Sequence, residues 1–277
     1  MRTERWTVWL AWSLLAVGAL AFLAPVGWMV STSFKEESKV ATARPVWIPD
    51  PPVLDNYRSL GEKIEEAPFG RWLLNSALVS TSVVVLVLLI CALTAYPLAR
   101  MRFPGRDALF FLILATMMLP SQATLIPNFL TVQALGWFDT YAALIIPGLA
   151  GPFGVFLLRQ FMMTIPRELE EAAIVDGCGP WRTWAQLILP LSRPALATLA
   201  VLTFLGAWND FMWPLVVTNS LEMRTVPIGI MIFQGRYTTQ YGLLMASALV
   251  ASAPVILAFL LLQRFVIRGI VLTGLKG

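Results

Sequence analysis

The stretch "WLLNSALVSTSVVVLVLLICALTAYPLA", Trp72–Ala99, contains no charged side chain. Crossing hydrocarbon takes about 20 consecutive, mostly apolar residues, and this run supplies them with room to spare. Four other runs are equally charge-free: Trp6–Phe34, Ala108–Phe138, Thr140–Leu158 and Tyr237–Gln263. A sixth, Pro194–Leu221, is interrupted only by Asp210. The chain as a whole is 58% apolar and 13% charged, with a mean hydropathy of +0.73, which places it among integral membrane proteins. Backbone facing lipid must satisfy its own hydrogen bonds, so each run reads as a helix. The expectation is an all-α integral membrane protein in one transmembrane domain, residues 1–277. Its six transmembrane helices are expected at about 9–30, 72–98, 108–131, 140–161, 194–217 and 241–264, with a cytoplasmic loop at 164–193.

Orientation follows from the basic residues flanking those spans. With the N-terminus inside, the inner segments carry Arg2, Arg5, Arg100, Arg102, Arg106, Arg159, Arg167, Arg182, Arg193, Arg264, Arg268 and Lys276, twelve of the 20 Lys and Arg. The others fall mostly between Lys35 and Arg71. Both termini are therefore expected in the cytoplasm. Arg2 and Arg5 before an apolar stretch, with Ala19-Leu20-Ala21 as a cleavage-like triplet, resemble a signal peptide. The apolar run continues to Met29, so the segment is expected to stay as the first span. The pI of 9.3 follows from positive flanks on the helices, and no basic cluster resembles a nucleic-acid surface. Membrane lipid is the expected surrounding.

The chain has no histidine and two cysteines, Cys91 and Cys178. Neither a disulfide framework nor a metal site is indicated. None of the lysines closes a G-x-x-x-x-G-K-[ST] loop, so ATP binding in the P-loop manner is excluded for this chain alone. No residue set for catalysis is found. Any energy source lies outside the chain, and no cofactor is expected to bind it.

Between the first two spans lies an outward loop whose Pro45, Pro49, Pro51 and Pro52 resist regular helix. The turn Ala99–Asp107, with Pro104 and Gly105, fits a tight inner hairpin. Pro120 and Pro127 fall in the third span; Pro147, Gly148, Gly151, Pro152 and Gly154 fall in the fourth. Such breakers fit either close helix packing on a small-residue face or a direct role in a pathway. No repeat relates the two halves, which leaves an inverted-repeat secondary transporter without support.

One polar island interrupts the apolar pattern, "EAAIVDGCGPWRTWAQLILPLSRP", Glu171–Pro194. Upstream of and into it, Pro166 suits a first helical turn, and Glu168, Glu170 and Glu171 sit where the helix dipole favours negative charge. Gly177 can end the helix in the left-handed region. Leu169, Ala172 and Ala173 share one narrow face. Trp181, Trp184, Ala185 and Ile188 repeat at helical spacing and predict a second helix at the membrane surface, ending at Pro190. This hairpin is either a solvated connector or a docking element.

The island resembles the EAA loop of the permeases of bacterial ABC importers. Glu171, Ala172, Ala173, Asp176, Gly177, Ile188 and Pro190 occupy the positions of that pattern, the last three residues reading Ile188-Leu189-Pro190. In that family the loop is a coupling helix seated in a cleft of the ATPase subunit. The resemblance extends over nearly the whole chain and points to the carbohydrate branch, of maltose and glycerol-3-phosphate type. "RFPGRDALFFLILATMMLPSQATLIPNFLTVQALGWFDTYAALIIP" looks like that branch's third and fourth spans, "WNDFMWPLVV" like its fifth, and "GLLMASALVASAPVILAFLLLQRFVIRGIVLTGLKG" like its ending. It implies a type I ABC importer permease architecture in the bacterial inner membrane. It also implies a second homologous permease, an ATPase dimer that binds ATP and magnesium, and an extracytoplasmic solute-binding protein. The solute implied is a sugar or sugar-like molecule, with glycerol-3-phosphate, glycerophosphodiesters or polyols as the alternative. A stand-alone secondary transporter or membrane anchor is the rival of another class.

Asp210 is the ionisable residue well inside a predicted span, so it is expected to face the protein interior or a wet cavity. Trp208, Asn209 and Trp213 surround it in sequence. An acid beside an amide and indoles suits sugar hydroxyls and sugar faces; it equally suits a bond to a neighbouring helix. Gln122, Asn128 and Gln133 are further candidates for the outer end of the same path.

Overall fold

The computed structural model describes residues 2–40, 46–62, 67–235 and 239–274. Pro45, Tyr237 and Lys276, used above, lie outside the described residues. Three helices run unbroken for long enough to cross a membrane: Arg2–Ser33, Phe69–Arg100 and Tyr241–Gly274. Three bent pairs, Arg106–Thr116 with Ser121–Ala134, Tyr141–Leu149 with Pro152–Met163, and Pro180–Leu191 with Arg193–Trp208, bring the described residues to six spans when each pair is counted as one.

The bends sit at the breakers, with local causes. The third span, expected as one helix over 108–131, stops at Thr116 and restarts at Ser121 with a 94° change of direction. Pro120 precedes the restart with φ −65° and ψ 135°; its missing N–H and the constraint it places on Leu119 end the first helix. The fourth span joins Tyr141–Leu149 to Pro152–Met163 at 44°, with Pro152 opening the second half, where no N–H is needed. The fifth, expected over 194–217, ends as Arg193–Trp208 and resumes as Met212–Val217. At that break Asn209 Nδ2 donates to the Leu205 carbonyl at 2.9 Å, a side chain competing with the helix ladder. The last helix continues past 264 to Gly274.

The chain divides into two compact units, Met1–Arg71 with Gly229–Ala253, and Trp72–Ile228 with Pro254–Gly277. In the first, the segment after the opening helix is held by side chains. Asn56 Nδ2 donates to the carbonyls of Ser33 and Lys35, each at 2.9 Å. Ser33 Oγ and Tyr57 Oη lie 2.7 Å apart. Glu37 takes the first N–H groups of the last helix, from Tyr241 and Gly242, both at 2.8 Å. A carboxylate there satisfies orphan donors and complements the helix dipole.

The second unit is built on one face of the second span. Val79, Val83, Val87, Cys91 and Ala95 recur every four residues and are all buried, against Val155, Leu158 and Met162 of the fourth span and Leu199 of the fifth. Gly154 makes this closeness possible. A Cβ at that position would stand 2.6 Å from Cys91 Sγ and 3.0 Å from Leu199 Cδ2, so the helices meet through van der Waals contact at a hydrogen-sized residue. The Cys91 thiol donates to the Gly151 carbonyl at 3.3 Å.

At its opposite end the second span seats the segment 221–226. Trp72 Nε1 donates to the Leu221 carbonyl at 2.7 Å, and Asn75 Nδ2 donates to those of Glu222 and Arg224 at 2.6 and 2.8 Å. Ser76 Oγ accepts the Val226 N–H at 2.8 Å, and Tyr141 Oη donates to Asn75 Oδ1 at 2.7 Å. Asp139, at φ 59°, accepts the N–H groups of Asn219 and Ser220 at 2.9 and 3.2 Å. Burial pushes its carboxyl up, but these backbone donors outweigh that and hold it below the usual carboxylate range.

Candidate functional site

The polar island forms a helical hairpin. Its first helix is Glu168–Val175, beginning two residues after Pro166 rather than with it, and its first turn carries Glu168, Glu170 and Glu171. The end is a Schellman closure: the Gly177 N–H donates to the Ile174 carbonyl at 3.0 Å and the Cys178 N–H to that of Ala173 at 2.9 Å. Gly177 has φ +78°, the left-handed conformation in which an L side chain is strained.

The second arm runs Pro180–Leu191, passing through a π-helical stretch at Trp184–Ile188. It continues one residue beyond Pro190, where a helix end is expected from sequence. A proline lacks only a donor, and the widened register relieves its clash with the preceding turn. Trp181 is 72% exposed and stands edge-on to Trp184 at 5.8 Å. Ser192 Oγ returns to the Ile188 carbonyl at 2.7 Å and turns the chain into the fifth span.

The residues of the EAA pattern separate into two groups. Glu171, Ala172, Asp176 and Gly177 are exposed, and Ala173 and Pro190 are half-buried. Ile188 is fully buried in the core with Leu158 and Leu199. So one part of the pattern presents a surface while Ile188 roots that surface in the helices. Ile174 and Val175 add exposed aliphatic area at 65% and 87%. A small acidic helix with an apolar tip, on a rigid turn, has the chemistry of a docking knob.

Arg100 attaches the hairpin's base, and Arg159 ties the fourth span to the end of the second and the start of the third; in the sequence both served only for topology. Arg100 Nε lies 2.8 Å from Glu170 Oε1, with the arginine side chain 4% and the glutamate 16% exposed. Its Nη2 donates to the Ile165 carbonyl. Arg159, in the fourth span, donates through Nε to the Leu98 carbonyl at 3.1 Å and stands 3.5 Å from Asp107. Its guanidinium also covers the Phe110 ring at 3.8 Å. One signal pointed to Arg159: the helical pattern continues past it to Met163, and an ionisable residue inside a span requires partners.

The Asp210 corner is arranged differently. Asp210 Oδ1 accepts the Trp213 N–H at 3.4 Å, in the first turn of the Met212–Val217 helix. Trp213 gives its indole N–H to the Ala143 carbonyl at 2.8 Å. Trp208 is buried and stacked on Phe204 at 5.4 Å. Gln122, Asn128 and Gln133 are exposed on the helix Ser121–Ala134, against which Met212–Val217 packs. No hydrogen bond brings these three to Asp210 among the described residues. Among the described residues there is also no cluster of acids and cysteines suited to a metal ion.

Comparison with known proteins gives consistent results. Residues 88–271 match the family described as binding-protein-dependent transport system inner membrane component. The chain is 34% identical over 272 residues to the arabinooligosaccharides transport system permease protein AraQ of Halalkalibacterium halodurans, covering 97% of each. It is 37% identical over 265 residues to the sn-glycerol-3-phosphate transport system permease protein UgpE of Pectobacterium atrosepticum, covering 93% of this chain and 94% of that one. The fold is similar to a chain of a bacterial ABC transporter involved in the import of the acidic polysaccharide alginate, with a TM-score of 0.81 and 24% identity over 96% of this chain and 98% of that chain.

Proposed function

The chain belongs to the family of binding-protein-dependent transport system inner membrane components, and on that premise we propose what it carries and how it is driven. It is a multi-pass inner-membrane permease subunit of an ABC importer, working with a solute-binding protein, and it has no ATP site of its own. The proposal is that it forms half of a path for a sugar or sugar-like solute, beside a second, related permease. An ATPase dimer drives it through the hairpin, from the side of the membrane that also holds both termini.

The observation that carries the coupling is the division within the EAA pattern: Glu171, Ala172, Asp176 and Gly177 at the surface, and Ile188 in the core. A body seated on the first group moves the second, and with it the fourth and fifth spans, as a rigid unit. The solute class is inferred from relatives that handle arabinooligosaccharides and sn-glycerol-3-phosphate. Trp208, Asn209, Asp210, Trp213, Gln122 and Asn128 are proposed to shape the path, with Asp210 acting through the break at which it lies.

The test is uptake by the whole transporter. Glu171→Lys and Gly177→Val should abolish uptake of a labelled oligosaccharide while the protein stays in the membrane; normal uptake with normal ATPase association in either variant rejects the coupling. Preference for sn-glycerol-3-phosphate over every neutral oligosaccharide offered rejects the sugar class. Asp210→Asn should reduce uptake while assembly and ATP hydrolysis persist. If both Asp210→Asn and Asp210→Leu transport normally, Asp210 leaves the path.

A further inference from the structure

The turn between the second and third spans opens, beside the start of the hairpin, into a cavity of about 520 Å³ lined by Arg102, Phe103, Arg106, Asp107 and Arg167, among others. Arg106 is spent on Asp107, through Nε at 2.9 Å and a second contact at 3.3 Å. That leaves Arg102 and Arg167, both exposed, whose side chains make no ion pair or hydrogen bond among the described residues. Two free guanidinium groups therefore face one groove, and its one carboxylate is already neutralised. Phe103, 38% exposed, puts an aromatic ring among them.

We propose that this groove holds the phosphate of an anionic phospholipid. The turn joins Arg100, where the second span ends, to Arg106, where the third begins, which is the level at which a chain leaves hydrocarbon and meets headgroups. Guanidinium forks match phosphate oxygens in a bidentate way. A ligand with a charged head and an apolar tail satisfies the arginines and Phe103 together, whereas a carboxylate on a protein partner satisfies only the arginines. Because Arg167 directly precedes the Glu168–Val175 helix, the bound headgroup ties the start of the coupling hairpin to the bilayer. The proposal rests on the cytoplasmic placement of that hairpin, in the leaflet where anionic lipid acts on basic residues.

The test uses the complete transporter in detergent, with bound lipid counted by native mass spectrometry. The probes are a short-chain phosphatidylglycerol, the matching phosphatidylcholine and inorganic phosphate. The intact complex should retain phosphatidylglycerol over phosphatidylcholine. Arg102→Gln should weaken that retention about fivefold, and Arg102→Gln with Arg167→Gln about twenty-five-fold, as about equal contributions per arginine imply; Arg102→Lys, which keeps the charge and loses the fork, should fall between the parent and Arg102→Gln. Equal retention of the two lipids, or undiminished retention by the double variant, overturns the proposal. Displacement of the lipid by equimolar inorganic phosphate overturns the lipid as its ligand. Loss of the ATPase from the Arg102→Gln complex assigns the arginine to the motor interface and also overturns it. Labelling of Cys178 by an impermeant thiol reagent in intact cells rejects the cytoplasmic placement on its own, since lipid counted in detergent is blind to the leaflet.

Discussion

The second span is fastened at both ends, and the two ends use different chemistry. At the Trp72 end, neutral side chains grip backbone: Trp72 and Asn75 hold three carbonyls and Ser76 one amide of the segment 221–226. At the Arg100 end, the fastening is ionic, Arg100 on Glu170 with Arg159 close by on Asp107. Bonds to backbone fix a path whatever side chains it carries, and each contributes modestly. A buried ion pair contributes little over an apolar substitute while intact, but its loss is costly, because one charge is left without its partner. The Trp72 end is a seat. The Arg100 end is a joint, able to hold the hairpin firmly and to fail sharply.

The largest effect that tests this contrast is expected from Glu170→Ala. It leaves the guanidinium of Arg100 buried without a counter-charge, at a cost of about 3 kcal/mol, visible as a lower melting temperature of the purified complex and loss of uptake. Replacing both partners with apolar residues, Arg100→Met with Glu170→Leu, should restore much of the stability but not the uptake. A Glu170→Ala complex that melts and transports normally erases the difference between the ends. Asn75→Ala comes next. It orphans the carbonyls of Glu222 and Arg224 and the Tyr141 hydroxyl, costing about 2 kcal/mol, and uptake should fall no further than the lost stability explains. Uptake abolished in a complex of normal melting temperature would make the seat a moving part.

A smaller effect, local to the hairpin, is expected from Gly177→Ala. Holding an alanine at this positive φ costs about 1 kcal/mol, so amide exchange across 176–178 should quicken while global melting is unchanged. The smallest belongs to Asp139→Asn, under about 1 kcal/mol at neutral pH. Because the carboxyl of Asp139 is held below the usual range by backbone donors, its contribution is complete above its unfolded value of about 3.9. The contribution is lost as pH falls through the lower, folded value, so the gap between variant and parent should close on acidification.

How much of this could be read from the sequence depended on the range of the interaction. The all-helical membrane class came from charge-free runs, and the left-handed closure at Gly177 from local turn chemistry. The breaks were half legible: Pro120 and the Pro147–Pro152 cluster marked where helices stop, but the 94° turn at Pro120 depends on what each half packs against. Asn209 and Asp210 read as polar residues inside a helix, and they end one instead. The two fastenings stayed out of sight for a different reason. Asn75 meets Arg224 across 149 positions and Arg100 meets Ile165 across 65, and no periodicity joins residues so far apart. Trp213 shows the same limit, since its indole reads as a candidate for a sugar face and is spent on the Ala143 carbonyl 70 positions away.

The contact between Glu37 and the start of the last helix bears on how the chain is made. Glu37 emerges early in synthesis, yet the N–H groups it accepts belong to residues 204 and 205 positions later. At about 5–20 residues per second, a ribosome takes on the order of 10–40 s to supply them. For that interval the carboxylate has water as its only partner from this pair, and the segment around it waits, threaded but unfastened. Assembly of that unit thus waits for Tyr241 and Gly242: a polypeptide truncated before Tyr241 has nothing to close the clasp.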